Sequence, residues 1–143
     1  MKIKELENFT TQVRRDILRQ VHKVDSGHPG GSLGCAEFFT VLYQEIMKHN
    51  PNFNMNGQGE DIFFLSNGHI SPAFYSVLAR SGYFPVEELN TIRLISSNLP
   101  GHPTLQDCFA GIRIASPSLG LEMDIAIGAA LAKKRNNDHR MVY

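Results

Sequence analysis

The chain has 143 residues, 42% of them apolar, with 14 basic and 14 acidic side chains, six histidines, two cysteines and no tryptophan. That length fits one domain able to bury roughly two-thirds of its unfolded surface, and zero net charge gives no general attraction to nucleic acid or anionic membrane. The charged start lacks the apolar core of a signal peptide, the run Ile125–Ala132 is far short of the roughly 20 residues that span a bilayer, and Cys35 and Cys108 form neither a disulfide framework nor a CxxC pair; the expectation is a cytoplasmic protein with no nucleic-acid or membrane partner.

Leu6, Phe9, Val13, Ile17, Val21 and Val24 recur every three or four residues with charges between them. This predicts an amphipathic first helix, broken by Gly27, Pro29, Gly30 and Gly31. A second helix is predicted from about Leu33 to His49, with an apolar stripe of Phe38, Val41, Leu42, Tyr43 and Ile46 and a stop at Asn50-Pro51. Asn50–Glu60 is polar and glycine-bearing and predicts a surface loop, followed by a short buried strand at Ile62–Leu65.

A third helix fits Pro72–Arg80, with proline in its first turn and Gly82 as the left-handed residue after its end. Pro85-Val86-Glu87-Glu88 opens a short fourth helix, Leu99–Ala110 is irregular, and Ile112–Ala115 predicts a short strand. A last helix fits Leu119 to Lys134, its basic end matched to the helix dipole. Met141-Val142-Tyr143 then reads as the start of a buried strand. Helices alternating with short apolar strands predict an α/β fold with a parallel sheet flanked by helices. Residues 1–143 are expected to form a single domain that stops where it should continue.

Three histidines share one setting: Ser26-Gly27-His28-Pro29, Asn67-Gly68-His69 and Pro100-Gly101-His102-Pro103. Each follows a glycine, which lets the backbone turn sharply, and two precede a proline, which fixes the exit. A lone Gly-His is usually a turn residue. Three in one short chain predict loops that present their imidazoles to a shared cleft, where histidine can hydrogen-bond a hydroxyl or move a proton near neutral pH. None is paired at the spacing common for zinc. His22, His49 and His139 lie among polar residues and are expected on the solvated surface.

The segments SGHPGGSLG, DIFFLSNGHISPAFYSVLARSGYF, LPGHPT and SLG followed by AIGAALAKK resemble the transketolase family in order and spacing, from about Val13 to the last residue. The resemblance is closest to forms split into N- and C-terminal subunits, and LPGHPT and SNGHISPAFY fit the transketolase branch better than the deoxyxylulose-phosphate branch. It implies the first part of a thiamine diphosphate-binding fold, with an active site completed by a partner domain. The implied reaction moves a two-carbon unit from a ketose phosphate to an aldose phosphate. The cofactor, held with Mg²⁺ or Ca²⁺, would supply the carbanion sink and the protein the orientation.

By that resemblance His28 contacts the sugar hydroxyls, His69 reaches the cofactor diphosphate and the substrate, and His102 lies near the donor's terminal hydroxyls. Ser32 packs near the thiazolium ring, and Ser118 and Leu119 hold the cofactor's rings. Sugar phosphates, a C-terminal transketolase subunit and a second copy of the chain are the implied partners.

Two departures stand out. Where the family turn reads Gly-[Pro/Ser]-Leu-Gly-Gln-Gly, this chain has Pro117-Ser118-Leu119-Gly120-Leu121-Glu122. Pro117 has no N–H to donate, and Glu122 adds a carboxylate to a site built for a diphosphate. The family's Gly-Asp-Gly turn and metal-binding asparagine also have no counterpart before Tyr143, so no metal ligand is assigned within the chain. The expectation is a subunit inactive in isolation; the alternative is a non-catalytic remnant acting as an oligomer or interaction module.

Overall fold

The computed structural model describes residues 2–104, 109–115 and 120–143. Helix α1 (Ile3–Lys23) forms as its periodicity predicts and buries Val13 and Ile17, but its inner face also buries Asp16 and Gln20. Both polar groups are partnered. Gln20 Nε2 donates to Ser76 Oγ at 2.7 Å and to the Pro72 carbonyl at 3.1 Å, while Asp16 pairs with Arg80 and with Arg19 at 3.1 Å. Buried polar groups are tolerated when bonded, so α1 is joined to the helix Ser71–Arg80 by a polar seam that apolar spacing alone does not show.

The single helix expected over Leu33–His49 is instead three pieces. Helix α2 (Pro29–Gly34) starts earlier because Pro29 sits in its first turn, where a missing N–H costs nothing. Helix α3 (Ala36–Val41) follows after Cys35 and runs into a π turn at Leu42–Ile46. That turn is closed by Met47 N–H donating to the Leu42 carbonyl at 2.8 Å. The extra residue rotates the face, so Phe39, Leu42, Tyr43 and Met47 are buried while Phe38, Val41 and Ile46 of the expected stripe are exposed.

The loop Asn50–Glu60 is mostly exposed but ends in two buried acids. Glu60 takes Arg113 Nη2 at 2.6 Å, and Asp61 accepts from the backbone N–H groups of Lys48 at 2.9 Å and Met141 at 2.7 Å. Asp61 thereby aligns the next residues. Ile62 and Val142 form an isolated parallel bridge, with Ile62 N–H on the Met141 carbonyl, Tyr143 N–H on Ile62 and Phe64 N–H on Tyr143. The segments predicted as strands at Ile62 and Met141 therefore meet in parallel, whereas 112–115 is irregular.

Helix α4 (Ser71–Arg80) lies at the centre. Every residue from Ser71 to Ala79 is buried, as expected of a helix apolar on nearly all sides. Phe74 packs among Phe39, Tyr43 and Phe63. Gly82 follows with φ +89° and ends the helix as predicted. The short helix expected after Pro85 is a 3₁₀ segment, Val86–Thr91.

Helix α5 (Leu121–Arg135) exposes Leu121, Met123, Ile127 and Leu131 and is held near its end by Lys133. Lys133 Nζ donates to the carbonyls of Gly57 and Glu60, both at 2.9 Å, and to Asp138 at 2.8 Å. Replacing a buried cation leaves its acceptors unpaired. Lys133→Met is therefore expected to lower the unfolding free energy by about 2–3 kcal/mol, read as an earlier urea midpoint. An unchanged midpoint would show that the ammonium ties nothing together.

Candidate functional site

Three loops meet at the N-terminal end of α4. The first leaves α1, turns at Gly27 and places His28 just before α2. The second is the turn Gly68–Ile70, where Asn67 Oδ1 accepts the His69 backbone N–H at 3.2 Å. Helix α2 lies close over it: a Cβ on Gly31 would fall 3.1 Å from Ile70 Cγ2, so glycine permits this approach. The third loop, 99–102, is fastened to α4 by two hydroxyls. Ser71 Oγ donates to the Gly101 carbonyl at 2.6 Å and Tyr75 OH to the Pro100 carbonyl at 2.9 Å.

The outcome is convergence. The His28 and His69 rings lie 4.9 Å apart between centroids and the His69 and His102 rings 5.0 Å apart, each pair edge to face at 81°. His69 stands between the other two. His28 and His69 are exposed and His102 is half-buried, so the cluster lines a surface through which a ligand can enter.

Burial first, then the nearby His69, Arg93 and His28, hold the His102 imidazole below its ordinary pKa. With the folded value depressed, the unfolded chain binds more protons than the folded one as pH falls through about 6.5. His102 is thus expected to stay neutral to a pH below the ordinary imidazole value of about 6.5, read by NMR titration of its ring. A His102 midpoint at or above about 6.5 would contradict this environment.

Ser32 is fully buried in α2, and its Oγ has no hydrogen-bond partner among the described residues. Ser118 and Leu119, with Pro117, lie outside the described residues, as does Cys108. Glu122, in the first turn of α5, is buried and neither carboxylate oxygen has a partner among the described residues. Among the described residues no group of three or more His, Cys, Asp or Glu is arranged to hold a metal ion.

His49 departs from the surface placement expected of it. It is half-buried, with Nε2 2.9 Å from the Tyr43 carbonyl and Nδ1 3.0 Å from Tyr83 OH, and it stacks on the Tyr83 ring. Since a carbonyl only accepts, Nε2 donates to it, and in the neutral ring Nδ1 is then left to accept from the Tyr83 hydroxyl. His49 is thus a structural link. His22 and His139 are exposed as expected.

The family profile described as transketolase, thiamine diphosphate binding domain, matches residues 7–141. The chain belongs to the transketolase family. It is 40% identical over 132 residues to transketolase 1 of Escherichia coli, a match covering 92% of this chain and 19% of that protein. It is 34% identical over 139 residues to a 6-deoxy-6-sulfo-D-fructose transketolase subunit of a Clostridium species, covering 97% of this chain and 50% of that one. The solved transketolase of Campylobacter jejuni superposes with a TM-score of 0.84 at 36% identity, over 95% of this chain and 21% of the other. Another from Pichia stipitis, in complex with sedoheptulose 7-phosphate, superposes with a TM-score of 0.82 at 32% identity, covering 90% of this chain and 19% of that one.

The chain therefore spans between about a fifth and a half of the lengths of these transketolases. The neighbours share an α/β, thiamine diphosphate-binding fold, in line with the α/β class expected; among the described residues no strand pairing longer than the Ile62–Val142 bridge forms, so the parallel sheet itself is not shown.

Sequence reading identified the three imidazoles but not what positions them. Ser71 and Tyr75 are four apart on α4 and hold one loop from one helical face. That spacing was available as a signal; Arg93, which hydrogen-bonds the loop before His28, left none.

Proposed function

We propose that this chain supplies the histidine-bearing part of a thiamine diphosphate-dependent transketolase, which moves a two-carbon ketol unit between sugar phosphates. The observation that carries this reading is the row of His28, His69 and His102, about one ring width apart. A ligand rich in hydroxyls can take several hydrogen bonds at once from such a row. His102, favoured in its neutral form, can both donate and accept there. His28 and His69 orient the donor sugar, with His69 also reaching the diphosphate.

The residues present fit the reacting end of the cofactor. Buried Ser32 has an unbonded hydroxyl, and Gly30 leaves open space above α2; Ser118 and Leu119 are assigned to the rings of the cofactor. Bound thiamine diphosphate would supply a nucleophilic carbon and an electron sink. The chain's own groups would position hydroxyls and carry protons to and from sugar oxygens. No comparable fit exists for Mg²⁺ or Ca²⁺ among the described residues, so the ion's ligands are assigned to other parts of the assembled enzyme.

The assembly we propose is cytoplasmic, with residues 1–143 as part of one diphosphate-binding domain. The parallel bridge at Ile62 is the first pairing of its larger parallel sheet, flanked by helices. A C-terminal transketolase subunit completes the site, and the exposed apolar side chains of α5 support association with further chains, including a second copy.

The test mixes the chain with a C-terminal transketolase subunit, thiamine diphosphate and Mg²⁺. Conversion of a ketose phosphate and an aldose phosphate into their exchanged products is the expected result. A formed complex that transfers no ketol unit would overturn the reading.

A further inference from the structure

Arg93 lies outside the histidine triplet yet touches two of its three loops. Its backbone has φ +63°, a left-handed conformation that a non-glycine residue keeps only when its surroundings impose it. Those surroundings are visible. Arg93 N–H donates to the Leu99 carbonyl at 2.8 Å, and Leu94 and Ser97 continue the same series of turns. The conformation turns the side chain back beneath the third loop.

There the guanidinium reaches in two directions. Nη1 donates to Ser26 Oγ at 2.6 Å, two residues before His28. The guanidinium also lies close against Gly101: a Cβ at that glycine would fall 2.9 Å from Nε and 3.2 Å from Cζ, so glycine permits the approach. Arginine suits this because it is a rigid, permanently charged plane that reaches Ser26 while filling the space beside Gly101, whereas a lysine ammonium is a compact point charge on a flexible stem. Ser26 itself is anchored, its N–H donating to the Val21 carbonyl at 3.2 Å.

We propose that Arg93 is a positioning residue that ties the loop of His28 to the loop of His102 and so sets the spacing of the three imidazoles. The role deepens the transketolase reading and rests on it for its catalytic meaning. The geometry itself can be tested without cofactor or sugar. A ligand-binding cluster works only if its members stay within a fraction of an ångström of their working positions. His69 is placed by the turn that starts α4, but His28 and His102 lie on separate loops, and Arg93 bridges them.

NMR of the 143-residue chain provides the test, through ring-to-ring cross-peaks among the histidines and the titration of each imidazole. The groups that face His102 are His69, Arg93 and His28, with Tyr75 reaching its loop from α4. In Arg93→Met both ring-to-ring contacts are expected to weaken, and the His102 midpoint to rise as a neighbouring cation leaves. Arg93→Lys keeps a charge but not the plane, so it should weaken the contacts with little change in the midpoint. Ser26→Ala, the mildest change, should weaken the His28–His69 contact and leave the His102 midpoint in place.

Wild-type ring contacts in Ser26→Ala and Arg93→Lys would overturn the proposal even if Arg93→Met failed to fold. A shifted midpoint with all contacts intact would also overturn it, leaving Arg93 an electrostatic neighbour. Because these readouts involve no turnover, they stand or fall apart from the ketol-transfer assay.

Discussion

Replacing His69 by alanine is expected to lower kcat/KM for ketol transfer by about a hundred- to ten-thousand-fold, the range for losing a positioned acid–base group. His69 is singled out because it packs against both other imidazoles, at 4.9 and 5.0 Å. Its removal takes one hydrogen-bonding group away and leaves the other two without a shared neighbour. The assay uses the chain assembled with a C-terminal transketolase subunit. His22→Ala, on the exposed end of α1, should retain full activity. A His69→Ala enzyme within a few-fold of wild type would mean that the cluster does not face the reacting sugar.

The second large effect concerns the helix beneath the site. Tyr75 is fully buried in α4 and its hydroxyl donates to the Pro100 carbonyl. Tyr75→Ala should cost about 3–5 kcal/mol, the range for truncating a large core aromatic, a large share of the roughly 5–15 kcal/mol that holds an ordinary domain folded. Tyr75→Phe keeps the ring and loses only the hydrogen bond, so about 1 kcal/mol is expected. The phenylalanine variant should remain folded while the loop of His102 loosens. Urea unfolding measures both costs, and equal losses in the two variants would show that the packing of the ring counts for little.

Much of this was legible in the sequence, and the reasons differ by element. The long apolar period of α1, the proline and glycine that frame α4 and the three Gly-His turns are local signals, and each produced the expected structure. The π turn at Leu42–Ile46 was not legible, because one inserted residue changes the buried face without any marker residue. His49 was misplaced for a similar reason. Its setting in sequence is polar, and only the fold brings Tyr83 across it.

The acidic end of the 50–60 loop was also hidden. Glu60 and Asp61 look like surface residues until Arg113 and the Met141 backbone close over them from far along the chain. At the site the histidines announced themselves through their neighbours in sequence. Their supports Ser71, Tyr75 and Arg93 act through tertiary contacts. Glu122 is the remaining tension: a buried carboxylate with no bonded partner among the described residues, in the first turn of a helix and three residues after Leu119 in sequence.

That tension and the absence of a metal-ligand cluster among the described residues bear on how the cofactor is held. A diphosphate carries several negative charges, which a carboxylate opposes and a divalent cation would offset. The most direct measurement is a calorimetric titration with thiamine diphosphate in excess Mg²⁺, performed on the chain alone and on the chain with a C-terminal transketolase subunit. The predicted result is no useful affinity for the chain alone and low-micromolar binding once the subunit is present. Low-micromolar binding to the chain alone, or none to the pair, would contradict a cofactor site shared between two chains.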